Sequence, residues 1–169
     1  MKHLIIVRGG GDIATGTIHR LHNAGYPVLV LEDAHPSAIR REVAFCEAVY
    51  DGEKTVERVT CRLASSLHEV NSILKGGDVA MLVDPEGRYI HSFSHEALVD
   101  AILAKKNLGT HRGMADLTIA LGPGFSAGQD VDWVVETMRG HNLGRIIREG
   151  YALKNTGVPG IIGGFGAER

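Results

Sequence analysis

Residues 4–32, LIIVRGGGDIATGTIHRLHNAGYPVLVLE, constrain the fold more than any other stretch of the chain. They read as strand, glycine turn, helix and strand. Leu4-Ile5-Ile6-Val7 is a short apolar run rich in β-branched residues, the composition of a strand buried on both faces of a parallel sheet. Gly9, Gly10 and Gly11 follow at once. Glycine costs chain entropy, so three in succession imply a tight turn or a phosphate brought against the backbone. Gly9, Gly11 and Ala14 fit the G-x-G-x-x-G/A pattern of a dinucleotide-binding turn, and Gly16 follows. Ile13, Thr17, Ile18 and Leu21 recur at helical spacing, which predicts a helix over about 12–23, ended by Gly25 and Pro27. Val28–Leu31 is the next strand, and Glu32 stands where an acid accepts ribose hydroxyls. Asp12 sets a charge beside the phosphate position. It either caps the helix or contacts a ligand, and Arg8 is placed to offset it. A turn that binds nothing could carry the same glycines. The strand before, the helix within and the acid after favour a nucleotide or another phosphorylated ligand.

The 169 residues suffice for one domain with a real core. A formal charge of −2 gives no sign of a nucleic-acid partner. Cys46 and Cys61 have no metal-like spacing and are too few for a disulfide scaffold, so no metal site is assigned. No apolar run reaches membrane length and Met1-Lys2-His3 leads straight into a strand, which predicts a cytoplasmic protein. Whether it is a homo-oligomer stays open.

Further along, Pro36 suits a helix start, with Ile39, Val43 and Cys46 on one face and Arg40 and Arg41 on the other. These arginines either meet an anion or face solvent. Residues 54–60 read as a short exposed strand or a connection. Leu67, Val70, Ile73 and Leu74 form the stripe of a helix from Ser66 that stops at Gly76-Gly77, and 78–83 is a buried strand. Asp84, at its carboxyl end, is a ligand contact or a turn residue with Pro85 and Gly87. Ser94 is placed to cap a helix with Leu98, Val99, Ile102 and Leu103 as its stripe and Lys105 and Lys106 at its end. Lys106 is either a helix-terminal cation or a phosphate ligand. Leu117–Leu121 is a strand running into a second glycine loop, Gly122-Pro123-Gly124-Phe125-Ser126-Ala127-Gly128. Asp130 is placed to cap a helix over 131–138. Both glycine loops follow strands, so the expectation is that they face one crevice. The segment Arg139 to Arg145 is rich in anion-binding groups, with His141 a candidate acid or base and Arg145 a phosphate clamp.

Several of these segments resemble the accessory proteins of selenium-dependent molybdenum hydroxylase systems, which are distantly similar to the maturation factors of xanthine dehydrogenase. They are VRGGGDIATGTIHRL, AFCEAVYDGEKTVE, AMLVDPEG, ALVDAILAKKNLGT, IALGPGFSAGQDVDWVVETMRGHNLGR and NTGVPGIIGG. Gly9, Gly10, Gly11 and Asp12 match the first family loop. Gly122, Pro123, Gly124 and Phe125 match the second, and Arg139, His141, Asn142, Gly144 and Arg145 the basic motif. The resemblance implies an N-terminal Rossmann-like domain and a role in maturing the hydroxylase's molybdenum centre or its cofactor.

The expected fold is α/β, a Rossmann-like three-layer domain with a mostly parallel sheet over 1–150. Residues 151–169 are expected as a glycine-rich C-terminal segment, either the end of this domain or the start of a further region. The expected function is an accessory protein for hydroxylase maturation that binds molybdopterin or a nucleotide. Binding would use Gly9, Gly10, Gly11, Glu32, Asp84, Lys106, Gly122, Gly124, Phe125, Asn142 and Arg145, with Asp12 and His141 for any acid–base step. No reaction is assigned. The alternatives are an NAD(P)-dependent oxidoreductase and a non-catalytic scaffold that binds the hydroxylase.

Overall fold

The strand–turn–helix–strand unit forms as its pattern requires: β1 (Ile5–Arg8), α1 (Asp12–Asn23) and β2 (Val28–Glu32). A computed structural model describes residues 3–154 and Gly164. The chain divides into two compact units, Met1–Ile102 and Leu103–Arg169.

The first unit adds α2 (Ala48–Asp51), β3 (Glu53–Val56), β4 (Val59–Ala64), α3 (Leu67–Gly76), β5 (Val79–Val83) and β6 (Ala97–Asp100). Its strands lie in the order β6-β1-β2-β5-β4-β3. All neighbours pair in parallel except the edge hairpin β3–β4. The β1–α1–β2 crossover runs one way along the sheet and β4–α3–β5 runs the other. Right-handed connections therefore place α1 and α3 on opposite faces, which gives three layers. Ile6, Val7, Val28, Leu29, Val30, Val79, Ala80 and Met81 are fully buried, the signature of strands covered on both sides. The architecture is thus Rossmann-like α/β. Helix α3 starts as its sequence dictates. The Ser66 hydroxyl accepts the Glu69 N–H, and the Glu69 carboxylate reaches back to the Ser65 N–H and hydroxyl. It ends at Gly77 in the left-handed region.

The second unit holds β7 (Leu117–Leu121), β8 (Ser126–Ala127), β9 (Trp133–Val135), β10 (Ile146–Ile147) and β11 (Gly150–Tyr151). β7 and β9 are parallel, β10 is antiparallel to β9, and β8 pairs antiparallel with β11. Ala120, Phe125, Ala127, Val131, Val134 and Ala152 form its core.

Three expected helices are absent. Residues 37–46 form only single 3-10 turns, at Arg41–Val43 and Phe45–Glu47. Ala44, Phe45 and Cys46 are buried in succession while Ile39 is 99% exposed and Val43 is also exposed, so Ile39, Val43 and Cys46 share no buried face. Backbone docking explains it: the Cys46 N–H bonds to the Gly10 carbonyl at 2.8 Å and the Phe45 N–H to the Thr15 hydroxyl at 2.9 Å. The second, 94–106, is instead β6, whose Leu98 and Val99 pair with Ile6 and Val7, followed by a loop with Leu103 and Lys105 at positive φ. The third, 131–138, contains the short strand β9 in place of a helix. There the Asp132 carboxylate accepts the Thr118 N–H and hydroxyl, which fixes this segment alongside β7. Residues 155–163 and 165–169 of the glycine-rich tail lie outside the described residues.

Candidate functional site

The three glycines after β1 differ in what the fold asks of them. Gly9 has φ +93°, and a Cβ there would lie 3.0 Å from the Ala101 carbonyl oxygen. On Gly10 it would lie 2.9 Å from Met81 Cε and 3.2 Å from Cys46 N. On Gly11 it would meet nothing within 4 Å, and Gly11 has an ordinary φ of −61°. Close packing explains Gly9 and Gly10. Nothing internal explains Gly11, which faces open space at the N-terminus of α1, where no side chain caps it.

Glu32 closes the other side of this turn. Its Oε2 accepts the Gly10 N–H at 2.6 Å and its Oε1 the Asp33 N–H at 2.7 Å. Burial raises its pKa above the ordinary carboxylate value, the two N–H groups oppose that rise, and the charge of Asp33 adds to it. Each oxygen keeps a lone pair for a hydroxyl donor. An anion aimed at the Gly10 N–H would instead compete with a carboxylate already in place.

Asp12 is the first residue of α1, and its Oδ1 accepts the N–H of the next residue, Ile13, at 3.0 Å. Its other oxygen pairs with Arg40, not with Arg8. Arg8 is buried beneath the sheet's carboxyl edge, donating to the Pro85 carbonyl at 2.7 Å and lying 3.9 Å from Asp100. Asp12 also borders a cavity of about 220 Å³ with Thr15, Gly16, His19 and Glu57. His19 Nε2 stands 3.2 Å from Glu57 there. The spacing of positions 12, 16 and 19 on one helical face is the sequence signal for His19, whereas His141 is exposed in the second unit. Asp84 performs the turn role: it is buried, and its oxygens accept the Arg88 and Tyr89 N–H groups at 2.9 Å. Burial pushes the Cys46 thiol up to about 11, with the charges of Glu32 and Glu47 adding to the shift. It is a packing residue, not a nucleophile.

In the second unit, Gly122 (φ +78°) and Gly124 (φ +111°) are required by their own surroundings. A Cβ on Gly124 would lie 2.6 Å from Lys106 N, so Lys106 meets this loop through its backbone. Phe125 is core, 3% exposed. Asn142 and Arg145 share a turn, with the Arg145 N–H bonded to the Asn142 carbonyl at 3.0 Å, and both are exposed with His141. The residue that holds this turn, Glu136, carried no signal in the sequence pattern. It is buried, its carboxylate accepts the Met138 and Leu153 N–H groups at 2.8 and 2.9 Å, and its backbone pairs with Gly144 and Arg145.

Among the described residues no three His, Cys, Asp or Glu side chains gather as a metal cage, and no helix is long and apolar enough to cross a membrane. No family model matches the chain, and no solved structure matches it. The chain is 51% identical over 166 residues to the uncharacterized protein YqeB of Escherichia coli strain K12. That alignment covers 98% of this chain and 31% of YqeB, so the chain spans about a third of that relative's length.

Proposed function

We propose that this chain is the ligand-binding part of an accessory protein that matures a selenium-dependent molybdenum hydroxylase, and that its first unit binds a phosphorylated ligand, molybdopterin or a nucleotide. The observation that supports this most is Gly11, a glycine that neither backbone geometry nor packing demands, open at the N-terminus of a twelve-residue helix. A phosphate approaching there meets first-turn N–H groups and the positive end of the helix dipole. Glu32 suits a neighbouring hydroxyl, as in ribose, because both oxygens are already oriented by backbone N–H groups. Arg40 tempers the charge of Asp12 beside the incoming phosphate.

The residues present fit a phosphate ester that carries hydroxyl or other donor groups. Gly11 and the start of α1 would hold the phosphate and Glu32 the donors. When bound, molybdopterin supplies the dithiolene that carries molybdenum. This chain's residues bind and orient the ligand. Asp12, and His19 with Glu57, are the groups placed to hold a proton near the loop.

Glu32 also keeps an NAD(P)-dependent oxidoreductase in play as a second reading, since its position suits an adenosine ribose. Native mass spectrometry of the purified protein, followed by titration with molybdopterin, NAD(P), ATP and CTP, tests both. A copurifying phosphorylated pterin or nucleotide is expected. Hydride transfer from NAD(P)H would favour the second reading. Absence of binding by every ligand, with the hydroxylase still captured, would replace both with a scaffold.

A further inference from the structure

A further hollow in the first unit, of about 300 Å³, lies between the segment after β2 and the short helix α2, lined by Pro36, Ser37, Ala38, Arg41, Glu47 and Tyr50. That volume is at the lower end of small-molecule sites. Contacts among these residues put side chains on its walls. The Tyr50 hydroxyl donates to the Pro36 carbonyl at 2.8 Å, so the phenol reaches from α2 to the facing segment. The Arg41 guanidinium donates to the Glu47 carboxylate through Nε at 2.9 Å and Nη2 at 2.6 Å. Both bonds fall on one oxygen, Oε2. A fork-to-fork pair would use both oxygens. Here Glu47 Oε1 and Arg41 Nη1 have no hydrogen-bond partner among the described residues. Glu47 is 5% exposed, yet Oε1 is not sealed, since Thr137 Oγ1 is the one enclosed and unbonded side-chain atom among the described residues. The hollow that Glu47 lines is where Oε1 opens.

The hydrogen bonds from Arg41 hold the Glu47 carboxyl below the ordinary carboxylate value against the opposing effect of burial, so both partners are charged at neutral pH. Their charges cancel. Asp51 near Arg41 and Lys54 near Glu47 balance in the same way. Such a site favours neither a cation nor an anion. It offers one acceptor and one donor, beside the apolar surface of Pro36, Ala38 and the Tyr50 ring.

We propose that this hollow binds a small neutral molecule bearing a primary carboxamide on an apolar body. The amide N–H would donate to Glu47 Oε1 and the amide carbonyl would accept from Arg41 Nη1, while Pro36, Ala38 and Tyr50 cover the body. A carboxylate brings no proton for Oε1, and an ammonium brings no acceptor for Nη1. This site goes beyond the phosphate reading at Gly11 and uses none of its residues.

Benzamide, benzoate and benzylamine share one ring and differ in the head group, so they are the probes. Titration of the whole chain, followed by amide proton–nitrogen NMR, gives affinity and location together. All three probes lack phosphate, so the result is separate from the Gly11 reading. Benzamide should shift the amides of Ser37, Ala38 and Tyr50 and bind at least about fivefold more tightly than either ion. Glu47→Gln leaves the Arg41 charge uncancelled and should turn the preference toward benzoate. Arg41→Gln leaves the Glu47 charge uncancelled and should turn it toward benzylamine. A purely structural ion pair would not reverse the order in this way. Should Glu47→Gln fail to fold, Arg41→Gln decides, since the Arg41 side chain is 67% exposed. No shift at these amides with benzamide in the millimolar range, equal affinity for the three probes, or the wild-type order in either folded variant would overturn the assignment.

Discussion

The Glu32 carboxylate accepts the Gly10 N–H at 2.6 Å, across twenty-two positions of sequence. This bond ties the carboxyl end of β2 to the glycine turn after β1, and it occurs in a partly buried place. It separates two roles that a glycine-rich fingerprint merges. Gly10 serves the protein's own carboxylate, and Gly11 is left facing outward.

Because Glu32 has a raised pKa, caused first by burial, its folded form holds a proton more tightly than its unfolded form. Its contribution to stability is therefore fully present below the ordinary value of 4.5 and is lost as pH rises through the folded pKa. Thermal melts across pH 4 to 8 should show this decline in the wild-type protein. Glu32→Gln should flatten it, so that the variant gains relative stability toward neutral pH. An unchanged pH profile in the variant would remove Glu32 as its source.

The alanine series through the glycine turn should split sharply. Gly9→Ala places a side chain at φ +93° and against the Ala101 backbone, for a loss of about 1–3 kcal/mol. Gly10→Ala presses on Met81, which can yield, and on Cys46 N, which cannot easily, and should lose stability as well. Gly11→Ala should stay within about 0.5 kcal/mol of wild type. Urea denaturation measures all three.

Gly124→Ala should be the most damaging glycine change in the second unit. The new Cβ would stand 2.6 Å from Lys106 N and 2.8 Å from Lys105 C, both backbone atoms, and φ is +111°. A loss above about 2 kcal/mol is expected. A wild-type melting temperature would show that the 105–106 segment can move aside.

Glu136→Ala strips acceptors from two backbone N–H groups, those of Met138 and Leu153. Each costs about 1–3 kcal/mol if left unpaired in a buried place. Hydrogen exchange at Met138 and Leu153 should accelerate together, since one carboxylate holds both. Acceleration at only one would mean that water replaces the other bond.

The first thirty-two residues were legible because their signals are local: a β-branched run, three glycines, a helical stripe and an acid at the next strand's end. The helix start at Ser66 and its stop at Gly76-Gly77 were legible for the same reason. The segment 94–106 was not. Ala97-Leu98-Val99-Asp100 satisfies a helical stripe and a buried strand equally, and what decides is pairing with β1, some ninety positions away. The segment 131–138 failed likewise, because the bonds from Asp132 to Thr118 join residues fourteen apart. At the site, glycine content alone could not reveal that Gly9, Gly10 and Gly124 answer to neighbouring backbone and side chains. Nor could it single out Gly11. Asp84 was readable as a turn residue from Pro85 and Gly87, and Glu136 from nothing nearby.

The most direct test of the account is Gly11→Glu. The backbone there accepts any residue, and an acid at a helix start is electrostatically favoured, so the variant should fold with a wild-type melting temperature. The same acid would stand where the phosphate is placed. Titrated in parallel with the phosphorylated ligand that copurifies with or binds the wild-type protein, Gly11→Glu should show no binding. A folded variant that binds with wild-type affinity would contradict the account.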